Sequence, residues 1–318
     1  MKNILITGGA GFIGSNLVDL LIKNPRNKIT CLDNFDSFYS SKVKRDNIKA
    51  HLKKTNYKLV EADICNFSKM KAELADHYDA IIHLAAKVGV KPSIQDSMGY
   101  TQANVNGTQN MLELARELKC KKFIFGSSSS VYGVNLNVPW REDDHALLPI
   151  SPYASTKISG ELLGHVYSHL FGFQFIGLRL FTVYGPRQRP DLAIHKFTKL
   201  IYEDKPITIY GNGKTKRDYT YIDDVIAGIL AALNYSDSQY EIINLGNNKP
   251  IELKKLITLL EEILGKKAII NSLSEQPGDV PQTFADISKA QKLLGYEPKT
   301  NLSTGLQKFI DWFVIEKH

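Results

Sequence analysis

Short apolar runs recur along the first half of the chain at Ile4–Thr7, Ile29–Asp33, Leu59–Ala62, Ala80–Leu84 and Lys122–Gly126, each followed by a longer segment. Runs this short with little polar alternation suit strands buried on both faces, and the intervening lengths suit helices, so the rhythm predicts a parallel α/β sheet. From Met98 to Leu118, Val105, Met111, Leu112, Leu114, Ala115 and Leu118 fall at helical spacing. A second long helix is expected from Tyr153 through Leu162, Leu163 and Val166. Phe175–Leu180 reads as another strand, after which Pro186 and Pro190 interrupt a stretch with little periodicity. Beyond it, Ile242–Leu245 reads as a late strand and Pro250–Leu264 as a helix ending at Gly265. Pro277–Pro281 is then a loop before a last helical region.

The first strand runs into Gly8, Gly11 and Gly14. Glycines at this spacing let a backbone turn approach a pyrophosphate, whose charge the N-terminus of a helix beginning near Phe12 and Ile13 would receive. The second strand ends in Asp33, placed to accept from ribose hydroxyls and to repel a 2′-phosphate, which favours NAD over NADP. Asp63, after the third strand, faces either the adenine amino group or the start of a helix as its cap. Leu84, Ala85 and Ala86 close the fourth strand with room for a cofactor to pass, and Lys87 is either a cofactor contact or an exposed lysine. The expected fold is therefore α/β, a Rossmann-type doubly wound parallel sheet with a smaller C-terminal α/β substrate-binding domain. Residues 1–180 form the NAD-binding part, with a late return of about 213–246, and 181–318 the mainly substrate-binding portion.

Composition narrows the class. With 43% apolar residues over 318 positions, a sizeable core is affordable, and no apolar run approaches the roughly 20 residues of a membrane span. Met1-Lys2-Asn3 enters the first strand without a signal-peptide pattern, and Cys31, Cys65 and Cys120 suggest neither a disulfide framework nor a metal cluster. The expectation is a cytoplasmic protein. A net charge of +7 comes without any nucleic-acid recognition motif, and runs such as Lys42–Arg45 read as solvated helix faces.

Candidate chemistry lies in Ser151-Pro152-Tyr153-Ala154-Ser155-Thr156-Lys157. Tyr153 and Lys157, four residues apart on a helix, share a face and can act as one acid/base unit. A phenol with a pKa near 10 is a poor base, but an adjacent ammonium and an oxidised nicotinamide both favour its phenolate. Gly126-Ser127-Ser128-Ser129-Ser130 supplies a hydroxyl to hold a substrate in line.

With these pieces in place, the chain resembles the extended short-chain dehydrogenase/reductase superfamily, in particular the NAD-dependent nucleotide-sugar 4-epimerases. The resemblance rests on Thr7–Gly14, the Ser-Tyr-Lys set and Lys216–Val225. It implies Ser128, Tyr153 and Lys157 as catalytic residues, and Arg217 on the diphosphate of a UDP-sugar, where a surface ion pair is the alternative. Sugar 4,6-dehydratases of the superfamily carry Asp-Glu where this chain has Ser129 and Ser130, so dehydration is disfavoured, and UDP-xylose-forming relatives place Glu at Ser130.

The segments Arg179–Ala193 and Gln276–Pro281 look most like UDP-glucuronate 4-epimerases. That resemblance implies a sugar carboxylate met by Ser129, Ser130, Thr182 and Arg189, with Asp279 also in the substrate site. Thr283, at a position resembling the pocket gatekeeper, is small enough for UDP-glucose or UDP-N-acetylglucosamine as the alternative sugar. A non-catalytic NAD-sensing or scaffold protein is the alternative of another class. The helices following Met98 and containing Tyr153 resemble those that pair subunits in this family, which implies a homodimer; their apolar stripes could equally face the sheet.

Overall fold

The computed structural model describes residues 2–144, 147–274 and 280–317. Its first six strands are β1 (Asn3–Thr7), β2 (Lys28–Asp33), β3 (Tyr57–Glu61), β4 (Ala80–His83), β5 (Lys122–Ser128) and β6 (Gln174–Leu180). Short strands follow at β7 (Thr182–Tyr184), β8 (Ile207–Tyr210) and β9 (Lys216–Tyr221), then β10 (Tyr240–Leu245), β11 (Pro250–Glu252) and β12 (Ile270–Leu273). Seven of them form one sheet in the order β10-β6-β5-β4-β1-β2-β3, each neighbouring pair parallel. Parallel pairing needs a crossover between strands, and the helices that supply it cover the sheet, so Ile4, Leu5, Ile6, Ile81, Ile82, Phe123 and Ile124 are fully buried. No helix among the described residues is long and apolar enough to cross a membrane.

The small sheets lie outside this frame. β9 sits between β11, antiparallel, and β7, parallel, while β12 pairs with β8. Of the 213–246 stretch, only β10 therefore enters the main sheet. β9 opens with Lys216 and Arg217, which stay half-exposed beside β11 rather than entering a buried sheet.

The helix expected over Met98–Leu118 is broken. Ser97–Thr101 and Gly107–Glu117 are α-helical, and Gln102–Asn106 between them is π-helical. A π turn inserts one residue into the helical ladder and re-aims its side chains, a device common near functional sites. Here it accompanies the burial of Asn104, which accepts from the Lys87 N–H at 2.8 Å and donates to the Lys87 carbonyl at 2.9 Å and to Thr156 Oγ1 at 3.0 Å.

The helix Pro152–Phe171 starts where Ser151 accepts from the Ala154 N–H at 3.2 Å with Pro152 in the first turn, and stops at Gly172 in the left-handed region. Two glycines set its distance from the sheet. A Cβ on Gly160 would lie 2.4 Å from the Phe125 ring, and one on Gly164 2.1 Å from the Phe175 ring. The helix thus seats directly on β5 and β6, which brings its first turn to the end of β5.

Candidate active site

A cleft of about 840 Å³ opens beyond the C-terminal ends of the parallel strands, the usual place for a ligand in such a sheet. It is lined by Gly8, Gly11, Phe12, Ile13, Gly14, Asp33, Asp63, Leu84, Ala85, Ala86 and Lys87 on one side. Ser128, Ser129, Ser130, Tyr153, Lys157, Thr182, Arg189, Arg217 and Thr283 line the other. Asp279 lies outside the described residues.

The glycine turn is closely built. Gly8 has φ +71°, and a Cβ there would meet the Ala85 N–H at 2.8 Å, so β1 and β4 pass each other with no side chain between. A Cβ on Gly14 would lie 2.3 Å from the Gly8 carbonyl and 2.7 Å from the Gly9 Cα. The helix Phe12–Leu21 has Gly11 as its N-cap, with no side-chain cap and no acidic residue in its first turn. Its leading N–H groups are left to an anion, which fits the diphosphate of a dinucleotide. Gly14→Ala is expected to lower dinucleotide affinity by about 100-fold, because the obstructing atoms are backbone and the turn must open; titration calorimetry against NAD checks this.

Asp33 is buried and oriented by two N–H groups, accepting from Ala10 at 3.1 Å and from Phe35 at 2.9 Å. Burial raises its carboxyl above the usual range, while the Phe35 N–H, Lys44 and the Ala10 N–H pull it back. Asp63 accepts from the Cys65 N–H at 2.7 Å and from Asn34 Nδ2 at 2.9 Å. Burial raises Asp63, but these hydrogen bonds outweigh it and leave the carboxyl below its ordinary range. Lys87 pairs with Asp96 at 2.6 Å as it borders the cleft.

Tyr153, Lys157 and Ser128 come together as their spacing implies. Lys157 is 5% exposed, donates to the Gly126 carbonyl at 2.7 Å and lies 5.9 Å from the centre of the Tyr153 ring. Burial pushes its ammonium down to about 8, opposed by Glu161. Groups other than Lys157 also act on Tyr153. Burial pushes the phenol up, and the forces against it are a hydrogen bond with Ser128 and the charge of Arg189. The Lys157 ammonium bonds the Gly126 carbonyl beside the ring, and Arg189 borders the cleft.

Ser128 Oγ accepts from the Ser130 N–H at 3.2 Å and from Ser130 Oγ at 3.0 Å, which ties the serine turn together. Arg189 is held by Asp191 through two bonds of 2.9 and 2.7 Å, with Phe38 5.6 Å from its guanidinium. Arg217 donates to the Lys216 carbonyl at 2.9 Å.

Sequence reasoning missed the support beneath these residues. Asp218, fully buried, accepts from the N–H groups of Asn247, Asn248 and Ala285 at 2.7, 3.0 and 3.1 Å, and Thr283 Oγ1 accepts from the Asp218 N–H at 2.9 Å. One carboxylate thus pins the loops on either side of Arg217. Tyr100, edge-on to Tyr153 with ring centres 6.3 Å apart, was also missed. Of these, only Asp218, which lies within Lys216–Val225, carried a signal in the sequence.

Comparison with known proteins gives a consistent result. The profile of the family described as GDP-mannose 4,6-dehydratase matches residues 5–309. A UDP-glucuronate 4-epimerase of Thermodesulfobacterium geofontis is 42% identical over 314 residues, covering 98% of this chain and 96% of that one. The crystal structure of UDP-glucuronic acid 4-epimerase from Bacillus cereus in complex with UDP-glucuronic acid and NAD superposes with a TM-score of 0.92 at 41% identity, over 99% of each chain. A UDP-glucose 4-epimerase of Thermotoga maritima, solved with UDP-glucose, gives a TM-score of 0.91 at 32% identity, covering 99% of this chain and all of that one.

Proposed function

The chain belongs to the GDP-mannose 4,6-dehydratase family of extended short-chain dehydrogenase/reductases, and on that premise we propose that it is an NAD-dependent 4-epimerase converting UDP-glucuronate to UDP-galacturonate. The observation that carries the sugar assignment is the neutral lining beside the acid/base site. Ser129, Ser130 and Thr182 border the same cleft as Ser128, Tyr153 and Lys157, and hydroxyl donors there suit a sugar carboxylate that acidic side chains would repel.

Gly8, Gly11, Phe12, Ile13 and Gly14 would hold the dinucleotide diphosphate, Asp33 the adenosine ribose, Asp63 the adenine amino group, and Leu84, Ala85, Ala86 and Lys87 the path towards the reacting end. When bound, NAD supplies the acceptor that takes the C4 hydride and returns it to the other face of the sugar. Tyr153 removes the 4-hydroxyl proton and gives it back after the 4-keto sugar has turned over, with Ser128 holding the oxygen in line. Lys157, with its ammonium near 8, is largely charged at neutral pH and favours the phenolate. Arg217 grips the diphosphate, so the sugar can turn while the nucleotide stays. Oxidation at C4 of a uronate makes a β-keto acid, and donors from Ser129, Ser130, Thr182 and Arg189 that hold the carboxylate oppose loss of CO₂.

We divide the chain accordingly into a cofactor part, residues 1–180 with β10 returning to its sheet, and a substrate part over most of 181–318. For assembly we propose a homodimer, supported by Leu162, Val166 and Leu170, which stand exposed at four-residue spacing on the outer face of the Tyr153 helix. The three cysteines are free thiols, which suits a reducing cytoplasm.

Incubation of the purified protein with UDP-glucuronate, resolved by chromatography and NMR, is expected to yield UDP-galacturonate and no decarboxylated UDP-pentose. Turnover of UDP-glucose or UDP-N-acetylglucosamine alone would favour the second reading, which the small Thr283 at the cleft supports.

A further inference from the structure

Three consecutive residues at the end of β5 are gripped by three successive turns of one helix. Lys157 Nζ donates to the Gly126 carbonyl at 2.7 Å, Ser127 Oγ donates to Glu161 Oε1 at 2.5 Å, and Ser128 draws the Tyr153 phenol down against burial. Residues 153, 157 and 161 stand four apart and so share one face. Two of the three have a part in the reaction, and Glu161 has none so far.

Glu161 is not a solvent-facing acid. Its side chain and that of Arg179 on β6 are 5% and 4% exposed, joined by Nε–Oε1 and Nη2–Oε2 bonds of 3.0 and 2.8 Å. Arg179 Nη1 has no hydrogen-bond partner, and the guanidinium lies 4.8 Å from the Tyr132 ring centre. Ion pairs buried this fully commonly add less to stability than apolar side chains of the same volume. A pair placed directly under the reacting end of β5, with a donor left unmet, points to a role beyond packing.

We propose that Glu161, held by Arg179, is a positioning residue for the acid/base site: it fixes Ser127, and with it the turn carrying Ser128, and sets a buried carboxyl group on the helix face that carries Lys157 and Tyr153. The proposal rests on the reaction given above. The groups around Lys157 are Tyr153 and Glu161 on its own helix, the Gly126 carbonyl and the Phe125 ring of β5, His83 of β4 and, behind Glu161, Arg179 of β6. His83 is held neutral by burial, its pKa lowered to about 3, so Glu161 is the one carboxyl group in this set.

The test uses the NAD-loaded protein. Glu161→Gln leaves Arg179 an uncompensated cation, Glu161→Gln/Arg179→Met removes both charges, and Glu161→Asp keeps the charge. The alkaline limb of kcat is expected to move about one pH unit to the acid side in Glu161→Gln, to return most of the way in the double variant and to stay in place in Glu161→Asp. KM should change by less than about twofold, because Glu161 does not border the cleft. Independently of turnover, the ¹³Cε-lysine NMR signal that disappears in Lys157→Met should titrate in the same order.

An unmoved Lys157 titration in folded Glu161→Gln overturns the proposal even if activity falls, since packing alone would then explain the loss. If Glu161→Gln does not fold, Arg179→Met carries the test with opposite sign: an uncompensated carboxylate must raise the Lys157 titration, and no rise overturns the proposal. A titration that shifts as expected in a protein with no activity on UDP-glucuronate would support the positioning role and sink the substrate assignment.

Discussion

Tyr153→Phe is expected to lower epimerase turnover by about 10³-fold, within the range that a positioned acid/base group supplies, while NAD and UDP affinity change by less than about twofold. The substitution removes one oxygen. The ring keeps its edge-on contact with Tyr100, and Lys157 keeps its bond to Gly126. What is lost is the phenol beside Ser128 that cycles a proton with the 4-hydroxyl. Because Arg189 and Ser128 both draw the phenol down against burial, the variant also loses the feature on which those two groups act. Steady-state rates on UDP-glucuronate together with calorimetric NAD binding check both halves. A variant with unchanged turnover would return the protein to the non-catalytic NAD-sensing alternative.

The parts of the site readable from the chain are those in which a local pattern carries the chemistry. Gly8, Gly11 and Gly14 follow a buried strand directly, and Tyr153 and Lys157 are one helical turn apart, so both features depend on neighbours in sequence. Main-sheet strands were legible for the same reason, being continuous apolar runs. β7 and β11 are three residues each, too short to show a period. The π-helical break at Gln102–Asn106 accompanies hydrogen bonds that Asn104 accepts from Lys87 and donates to Thr156, both remote in the chain, so helical spacing alone reads straight through it. Likewise, the influence of Arg189 on Tyr153 exists only because a loop after β7 folds back over the cleft. The Arg179–Glu161 pair joins a strand and a helix whose side chains look ordinary in sequence. Tertiary electrostatics, rather than residue type, is what stayed hidden.

Ser130→Glu should discriminate the sugar assignment, with KM for UDP-glucuronate rising by about 100-fold. Ser130 donates to Ser128 at 3.0 Å and borders the cleft, so a carboxylate introduced there comes close to the position assigned to the sugar carboxylate. Two like charges about 4 Å apart at an effective dielectric near 20 repel by about 4 kcal/mol, nearly 10³ in affinity, and solvent in the open cleft reduces that to about 100-fold. Loss of the Ser130 hydroxyl also disturbs Ser128, and Ser130→Ala measures that part alone. It is expected to lower kcat by several-fold on any sugar, since a neutral hydrogen bond contributes about 1 kcal/mol. The charge effect is the difference between the two variants. On UDP-glucose, which carries no carboxylate, Glu and Ala at this position should differ by less than about threefold in KM. Equal losses on both sugars would place the carboxylate elsewhere and leave Thr182 and Arg189 to be examined in its place.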